Sequence, residues 1–261
     1  MIAQRTIGKE IALSGVGVHS GGRVNLRLKP SSSVAITFRR QDLGAREIVL
    51  NPKKTFARRS SALRSKEGQI QTIEHLLAAL YVLGIDSLEA ELDGNEIPIL
   101  DGSARPFVQT ILQAGVKPLK KGKKKFIRIL NPLTIKENDA SIAFHPDPGF
   151  RVTYFIEYPH PAIERQELSL EVTVGNFISE IAPARTFGFL KDVPQLWQQG
   201  LALGGSLENA LVLDEEKVIN GPLRYPDEFV RHKILDLLGD LALLGRLIFG
   251  NIRARKAGHG L

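Results

Sequence analysis

One segment near the end of the sequence, Phe229 to Asp240, constrains the fold most, because it places polar residues at helical spacing inside an apolar run. His232, Asp236 and Asp240 follow one another at four-residue steps, so a helix puts all three on one face. Burying these groups as ions costs on the order of several kcal/mol each unless another charge compensates them. The segment therefore predicts a buried helix whose polar face either binds a divalent metal ion or is neutralised by an Arg or Lys elsewhere.

The composition is that of a globular protein. Of its residues, 43% are hydrophobic and 24% are charged. The length of 261 residues is enough for one large domain or two ordinary ones. The sequence has no apolar run as long as a membrane span and no signal-peptide layout at its start, so we expect a cytoplasmic protein. It contains no cysteine, so a metal site must be built from His, Asp and Glu.

The net charge of +7 predicts an anionic partner. Nucleic acid, an acidic membrane surface and a phosphorylated small molecule all fit that charge. Aromatic residues that could stack on bases are not interleaved with the basic ones, and the sequence has only one Trp and four Tyr. We therefore expect no nucleic acid partner, and the other two classes stay open.

A basic segment, residues 117–125, divides the sequence into halves with the same order of predicted elements. We assign residues 1–116 to an N-terminal α+β domain, 117–125 to a linker and 126–261 to a C-terminal α+β domain. In each half the strands come first and the helices later, which favours an α+β fold over strict alternation.

The period of the apolar residues changes from that of strands to that of helices within each half. Strands are predicted at residues 24–29, 34–39, 126–130, 141–144 and 151–158. Helices are predicted at residues 71–84, 103–115 and about 227–245. Thr72 and Ser103 are plausible N-caps of the first two helices, which end at Gly84 and Gly115.

Glu74 and His75, at the start of the first predicted helix, offer further chemistry. A zinc hydrolase needs about three protein ligands, an open coordination position and a base for water. An adjacent Glu and His can supply the base and one ligand. However, a Glu at a helix start is also common because its negative charge interacts favourably with the helix dipole. A lone His on an apolar helix is often a core residue. Together with His232 and Asp236, the pair forms a candidate site.

Several segments resemble the motifs of the UDP-3-O-acyl-N-acetylglucosamine deacetylase family, zinc amidases of lipid A synthesis. In order along nearly the whole chain they are Gly15–Gly21, Thr72–Leu76, Glu96–Ser103, Ala184–Phe189, Gly204–Ser206, Asp227–Asp240 and Lys256–His259. The resemblance implies two similar α+β domains, each a β-sheet with helices packed between the two sheets, and an active site at their junction. It also suggests a monomer.

The implied reaction is hydrolysis of the N-acetyl group of UDP-3-O-acyl-N-acetylglucosamine, the committed step of lipid A biosynthesis. The products are UDP-3-O-acyl-glucosamine and acetate. By the same resemblance, His75, His232 and Asp236 are the ligands of one Zn²⁺ ion per chain, and Glu74 is the base that deprotonates water.

The resemblance assigns further catalytic roles around the reacting amide. Thr186, together with the zinc ion, would stabilise the oxyanion. His259 resembles the family's protonated histidine, which stabilises the oxyanion and protonates the departing amine, and Asp240 would orient it.

Four more residues resemble the family's substrate-binding positions. Lys233 and Lys256 would meet the diphosphate, while Phe187 and Tyr158 would line the sugar and uracil sites. The role of His19, in a predicted hairpin-like turn, is unassigned.

Two other functions fit the same residues. The first is a zinc amidase acting on another acylated amino sugar. The second is a non-catalytic nucleotide-sugar-binding relative, because the sequence ends two residues after His259 whereas relatives continue with a further segment that could order this loop. Because the product leads to a membrane lipid and the charge is basic, we also consider peripheral contact with the inner membrane surface.

Overall fold

The computed structural model describes residues 2–52, 55–57 and 60–261, and it describes the backbone alone for residues 55–57. The strands of the first half are β1 Ala3–Ile7, β2 Ile11–Val16, β3 Arg23–Pro30, β4 Ile36–Arg40, β5 Arg46–Val49, β6 Thr55–Ala57, β7 Ser61–Ser65, β8 Gly68–Ile70, β9 Leu88–Leu92 and β10 Val116–Lys123. Those of the second half are β11 Phe126–Arg128, β12 Leu133–Glu137, β13 Ala140–His145, β14 Phe150–Glu157, β15 Arg165–Glu171, β16 Phe187–Phe189, β17 Leu211–Leu213 and β18 Leu247–Arg255. The helices are α1 Glu74–Leu83, α2 Arg105–Ala114, α3 Val174–Asn176, α4 Val193–Gln198 and α5 Glu228–Ala242.

The first half is built on a five-stranded mixed sheet with the order β2-β3-β9-β4-β5. Strands β4 and β9 run parallel, and the other neighbours run antiparallel. The alternation in β3 decides which face is inside: Val24, Leu26 and Leu28 are buried, and the residues between them are exposed. The predicted strand at residues 24–29 is therefore confirmed.

The second half is built on a six-stranded sheet in which β18 is central. It pairs with β13 on one side and with β14 on the other, and its first residues also pair with β11. Helix α5 packs against β14 and β15, helix α2 packs against β2, and α1 contacts both helices. Helices α1, α2 and α5 thus form a layer between the two sheets, and the predicted α+β class is confirmed.

Helices α1 and α5 approach each other closely at Gly239. A Cβ atom added there would lie 2.2 Å from the carbonyl oxygen of Glu74, so a side chain has no room at this position. The close approach brings the first turn of α1 against the polar face of α5. The fold therefore places Glu74 and His75 beside His232 and Asp236.

We expect Gly239→Ala to lower the free energy of unfolding by roughly 1–3 kcal/mol, because the added methyl group must separate two packed helices. Chemical denaturation measures the change. Gly175→Ala is the matched control, since an added Cβ there meets only the Thr173 hydroxyl at 3.9 Å. Equal stability of the two variants would contradict the close packing of α1 on α5.

The basic segment predicted as a linker, residues 117–125, is for the most part a strand. Val116–Lys123 forms β10, which pairs antiparallel with β1 across a register irregularity between Ala3 and Arg5. The lysines stay exposed, while Leu119 and Gly122 are half-buried. The half-buried residues recur at every third position and do not alternate, so the sequence lacks the usual pattern of a strand. The domain boundaries at residues 116 and 126 stay a prediction.

Both predicted N-caps are displaced from the helix starts. The N-cap of α1 is Ile73, and Thr72 instead has a positive φ of 56° and donates its hydroxyl to buried Glu96. The N-cap of α2 is Ala104, although the hydroxyl of Ser103 accepts a hydrogen bond from the backbone N–H of Arg105. The predicted ends at Gly84 and Gly115 are confirmed, each with positive φ. Among the described residues, no helix is both long and apolar enough to span a membrane.

Candidate active site

His75 on α1 meets His232 and Asp236 on α5 where the two helices pack. All three side chains are buried, and their candidate ligand atoms lie within 4.8 Å of one another. Asp236 Oδ1 lies 3.3 Å from Nε2 of His232 and 3.7 Å from Nε2 of His75. Two imidazoles and one carboxylate form a donor set that catalytic Zn²⁺ commonly takes while keeping an open position.

The orientation of His232 fits the role of a metal ligand. Its Nδ1 lies 3.0 Å from the carbonyl oxygen of Ala184, which can only accept, so Nδ1 carries the proton and Nε2 faces the cluster. Burial lowers the pKa of His232 to about 4, although the charge of Asp236 opposes the shift. The ring is therefore neutral at pH 7, as metal binding requires.

Lys233 compensates the charge of Asp236. Its Nζ lies 2.7 Å from Asp236 Oδ2, and it reaches the site from the same helix. Burial alone would raise the pKa of Asp236, but chiefly the charge of Lys233 holds it well below its usual range. The sequence left open a metal ion or an Arg or Lys elsewhere in the chain. The compensating residue that the structure shows, Lys233, comes from the same helix, and it leaves Asp236 Oδ1 facing the two histidines.

Glu74, the first residue of α1, is almost fully buried beside this cluster. The backbone N–H of Ser61 donates to its Oε2 at 3.1 Å. Burial raises the pKa of Glu74 to about 7, against smaller opposite effects of His259 and His75. A carboxyl group that titrates near neutral pH can accept a proton and return it, which suits a general base.

His259 faces the cluster from the C-terminal loop. Its Nδ1 lies 2.9 Å from Asp240 Oδ2, and its Nε2 lies 3.9 Å from Asp236 Oδ2. Burial alone would lower the pKa of His259, but the hydrogen bond to Asp240 and the nearby carboxylates raise it to about 9. The imidazole is therefore protonated at neutral pH. The hydroxyl of Tyr154 anchors the loop by donating to the carbonyl oxygen of Ala257.

A cavity of about 660 Å³ opens beside these groups. The cluster, Glu74, Lys233 and His259 belong to the polar part of its wall, as do Thr186, His19 and Asp192. Tyr158 and Phe187 also line it, with ring centroids 5.8 Å apart. Much of the remaining wall is apolar and comes from one stretch of chain: Phe189, Leu190, Val193, Leu196, Trp197, Leu207, Val212 and Ile219.

The structure brings together most of the residues predicted from the sequence. Asp240 lies behind His259, outside the cavity wall as far as the described residues define it. Lys256 is also outside that wall, and its Nζ lies 2.8 Å from Glu157 and 3.1 Å from Asp139. The predicted turn at Gly15–Gly21 is confirmed as the hairpin between β2 and β3.

Sequence reasoning missed two residues that support the site. Glu96 is fully buried and accepts hydrogen bonds from the backbone N–H groups of His19 and Ser20, which holds the hairpin turn against the cavity. Its place in a family motif is a signal that could have identified it. Ser61 contacts both Glu74 and Asp240 but lies in a segment with no distinguishing sequence pattern.

The sequence is similar to one family of known proteins along nearly its whole length. The family model described as UDP-3-O-acyl N-acetylglycosamine deacetylase matches residues 4–261. A protein of that activity, named UDP-3-O-acyl-N-acetylglucosamine deacetylase, from Thermodesulfovibrio yellowstonii is 46% identical over 261 residues, covering 98% of this chain and 88% of the relative. A protein of the same name from Idiomarina loihiensis is 44% identical, covering 100% of this chain and 87% of the relative. Another from Nautilia profundicola is 45% identical, covering 99% of this chain and 88% of the relative.

Proposed function

Since the chain belongs to the UDP-3-O-acyl N-acetylglycosamine deacetylase family, we propose that it hydrolyses the N-acetyl group of UDP-3-O-acyl-N-acetylglucosamine. The products are UDP-3-O-acyl-glucosamine and acetate, on the route to lipid A. The observation that carries the proposal is the cluster of His75, His232 and Asp236 with Glu74 and His259 beside it.

The donor set supports one Zn²⁺ ion per chain, held by His75, His232 and Asp236. The neutral His232 ring and the ionised Asp236 are the protonation states that such an ion requires. When bound, zinc acts as a Lewis acid that lowers the pKa of water and polarises a carbonyl group.

The proton transfers belong to the chain's own residues. Glu74 accepts the proton of the water that attacks the acetamide carbon. It is buried beside the cluster, and a base must lie close to the water it deprotonates. Protonated His259 stabilises the oxyanion and then donates its Nε2 proton to the departing amine. Asp240 fixes the ring through Nδ1, and the hydroxyl of Thr186 in the cavity wall donates to the oxyanion.

Charge and shape of the cavity support the substrate class. Lys233 donates one N–H to Asp236, and the remaining N–H groups of this buried ammonium can bind the anionic diphosphate. The apolar part of the wall suits an acyl chain. Phe187 and Tyr158 offer ring faces and edges to the sugar or the uracil. Lys256 can meet phosphate only by leaving the carboxylates of Glu157 and Asp139, so we place it at the periphery of the substrate site.

The shifted pKa values of Glu74 and His259 predict a bell-shaped pH dependence of kcat/KM. The base must be ionised, so activity falls as the pH drops below the pKa of Glu74, about 7 in the free chain and lower beside a bound cation. The acid must be protonated, so activity falls as the pH rises above about 9, the pKa of His259. Asp240→Asn should move the alkaline limb to lower pH; an unmoved limb would contradict the assignment of His259.

A substrate panel tests the specificity. We expect acetate release from UDP-3-O-acyl-N-acetylglucosamine to exceed that from UDP-N-acetylglucosamine, which lacks the acyl chain, and from an acylated N-acetylglucosamine that lacks UDP. A preference for the substrate without UDP would instead support an amidase acting on another acylated amino sugar.

We also propose a cytoplasmic monomer that contacts the inner membrane surface peripherally. The net charge of +7 and the exposed lysines of β10 support attraction to anionic lipids. Sedimentation with anionic vesicles at low and high salt tests the contact, and recovery of all protein in the supernatant at low salt would contradict it.

A further inference from the structure

Ser61 is a buried residue that connects the proposed base to the residue behind the proposed acid. Its side chain and backbone are only 3% exposed. Its N–H donates to Oε2 of Glu74 at 3.1 Å, its carbonyl oxygen accepts from the N–H of Ile73 at 3.2 Å, and its hydroxyl donates to Oδ1 of Asp240. One residue of β7 thus holds the first turn of α1 and the polar face of α5 at the same time.

The hydroxyl of Ser61 completes the hydrogen bonding of Asp240. Oδ1 of Asp240 accepts from Ser61, and Oδ2 faces Nδ1 of His259 at 2.9 Å. The Ser61 hydroxyl oxygen itself lies 3.5 Å from that nitrogen. A carboxylate held at both oxygens has little freedom to rotate, so the imidazole bound to it is also held in one orientation.

The backbone and the hydroxyl of Ser61 act on different groups. The backbone N–H contacts Glu74, and a side-chain substitution leaves it in place. The hydroxyl contacts Asp240 and lies near Nδ1 of His259, and Ser61→Ala removes only these side-chain contacts. The chain therefore allows the orientation of His259 to be tested without removing the backbone hydrogen bond to Glu74.

We propose that Ser61 is a positioning residue, whose hydroxyl fixes Asp240 and thereby directs Nε2 of His259 towards the substrate. This inference rests on the proposed role of His259 as the acid. A serine that merely satisfied a buried carboxylate would contribute to stability, and its effect on turnover would not depend on Asp240.

Kinetics of Ser61→Ala test the first consequence. We expect kcat to fall about tenfold or more with KM changed less than about twofold, because a hydrogen bond that acts mainly in the transition state is lost while substrate contacts stay. Ser61→Thr, which keeps the hydroxyl, should recover much of the rate. Ser65→Ala, on the same strand and outside the site, should match the wild type. A wild-type kcat for Ser61→Ala would overturn the proposal.

A double-mutant cycle separates positioning from a general structural effect. If Ser61 acts through Asp240, the variant carrying both Ser61→Ala and Asp240→Ala should be no slower than Asp240→Ala alone. Rate losses that multiply would show that Ser61 acts independently of Asp240, which contradicts the proposal.

Nuclear magnetic resonance of the His259 side chain gives a readout that needs no substrate. The proton on Nδ1, protected by its hydrogen bond to Asp240, should be visible in the wild type and in Ser65→Ala, and should broaden or shift in Ser61→Ala. An unchanged signal would show that the Ser61 hydroxyl does not hold Asp240 and His259 in place, and it would overturn the proposal. If the wild type releases no acetate, the proposed function fails, and this signal still decides whether Ser61 orients His259.

Discussion

Glu74→Gln should reduce the rate of acetate release by about a thousandfold while zinc content stays at the wild-type level, a loss within the range for removal of a general base. The amide has the size of the carboxylate but cannot take a proton from water. It can still accept the hydrogen bond from Ser61, so the packing of α1 on α5 should survive. Initial rates and elemental analysis of the purified variant measure the two quantities.

The control for this substitution is Glu67→Gln, which makes the same chemical change at the β7–β8 turn, outside the cavity wall. It should leave both rate and zinc content unchanged. A Glu74→Gln variant with wild-type activity would show that another group is the base. Loss of zinc from the variant would instead make Glu74 a ligand, against the geometry of the three-residue cluster.

Asp236→Ala should lower zinc affinity by more than about 100-fold and abolish turnover, since removing a direct ligand should cost at least as much as losing a partner that only orients one. The change removes the carboxylate oxygen that faces both histidines. It also leaves the buried ammonium group of Lys233 without its partner, so stability should fall as well. Competition with a chromogenic chelator measures the affinity, and circular dichroism checks that the variant is folded.

Asp240→Ala is the matched control on the same helix, one turn further along. Its carboxylate contacts His259 and Ser61 and is not one of the three candidate ligands. It should therefore keep zinc and lose turnover. Equal zinc affinity in the two variants would contradict the assignment of Asp236 as a ligand.

The sequence predicted the helices of the site well because their patterns are strong. The apolar run around His232 and Asp236 predicted a helix at about residues 227–245, and the structure has one at Glu228–Ala242. Four-residue spacing then placed both side chains on one face without knowledge of the fold. The grouping of that face with Glu74 and His75 was predicted from the chemistry of a zinc hydrolase and from family resemblance, because no local pattern determines which helices pack together.

The features that the sequence did not predict depend on contacts between distant residues. Ser61 acquires its role from Asp240, which is 179 positions away, and nothing in its neighbours distinguishes it from any other strand serine. The strand β10 within the basic segment was not predicted, because its partner β1 lies at the other end of the first half. The ion pairs of Lys256 with Glu157 and Asp139 likewise arise only when β14 and the β12–β13 turn are assembled.

We propose that the His75, His232 and Asp236 cluster binds the metal for amide hydrolysis. The most direct test is mass spectrometry of UDP-3-O-acyl-N-acetylglucosamine incubated with the protein as purified, after chelation, and after zinc is restored. We predict loss of one acetyl group, its disappearance on chelation and its recovery with zinc. Equal acetyl loss in the chelated, metal-free sample, or none from folded zinc-loaded protein, would contradict the account.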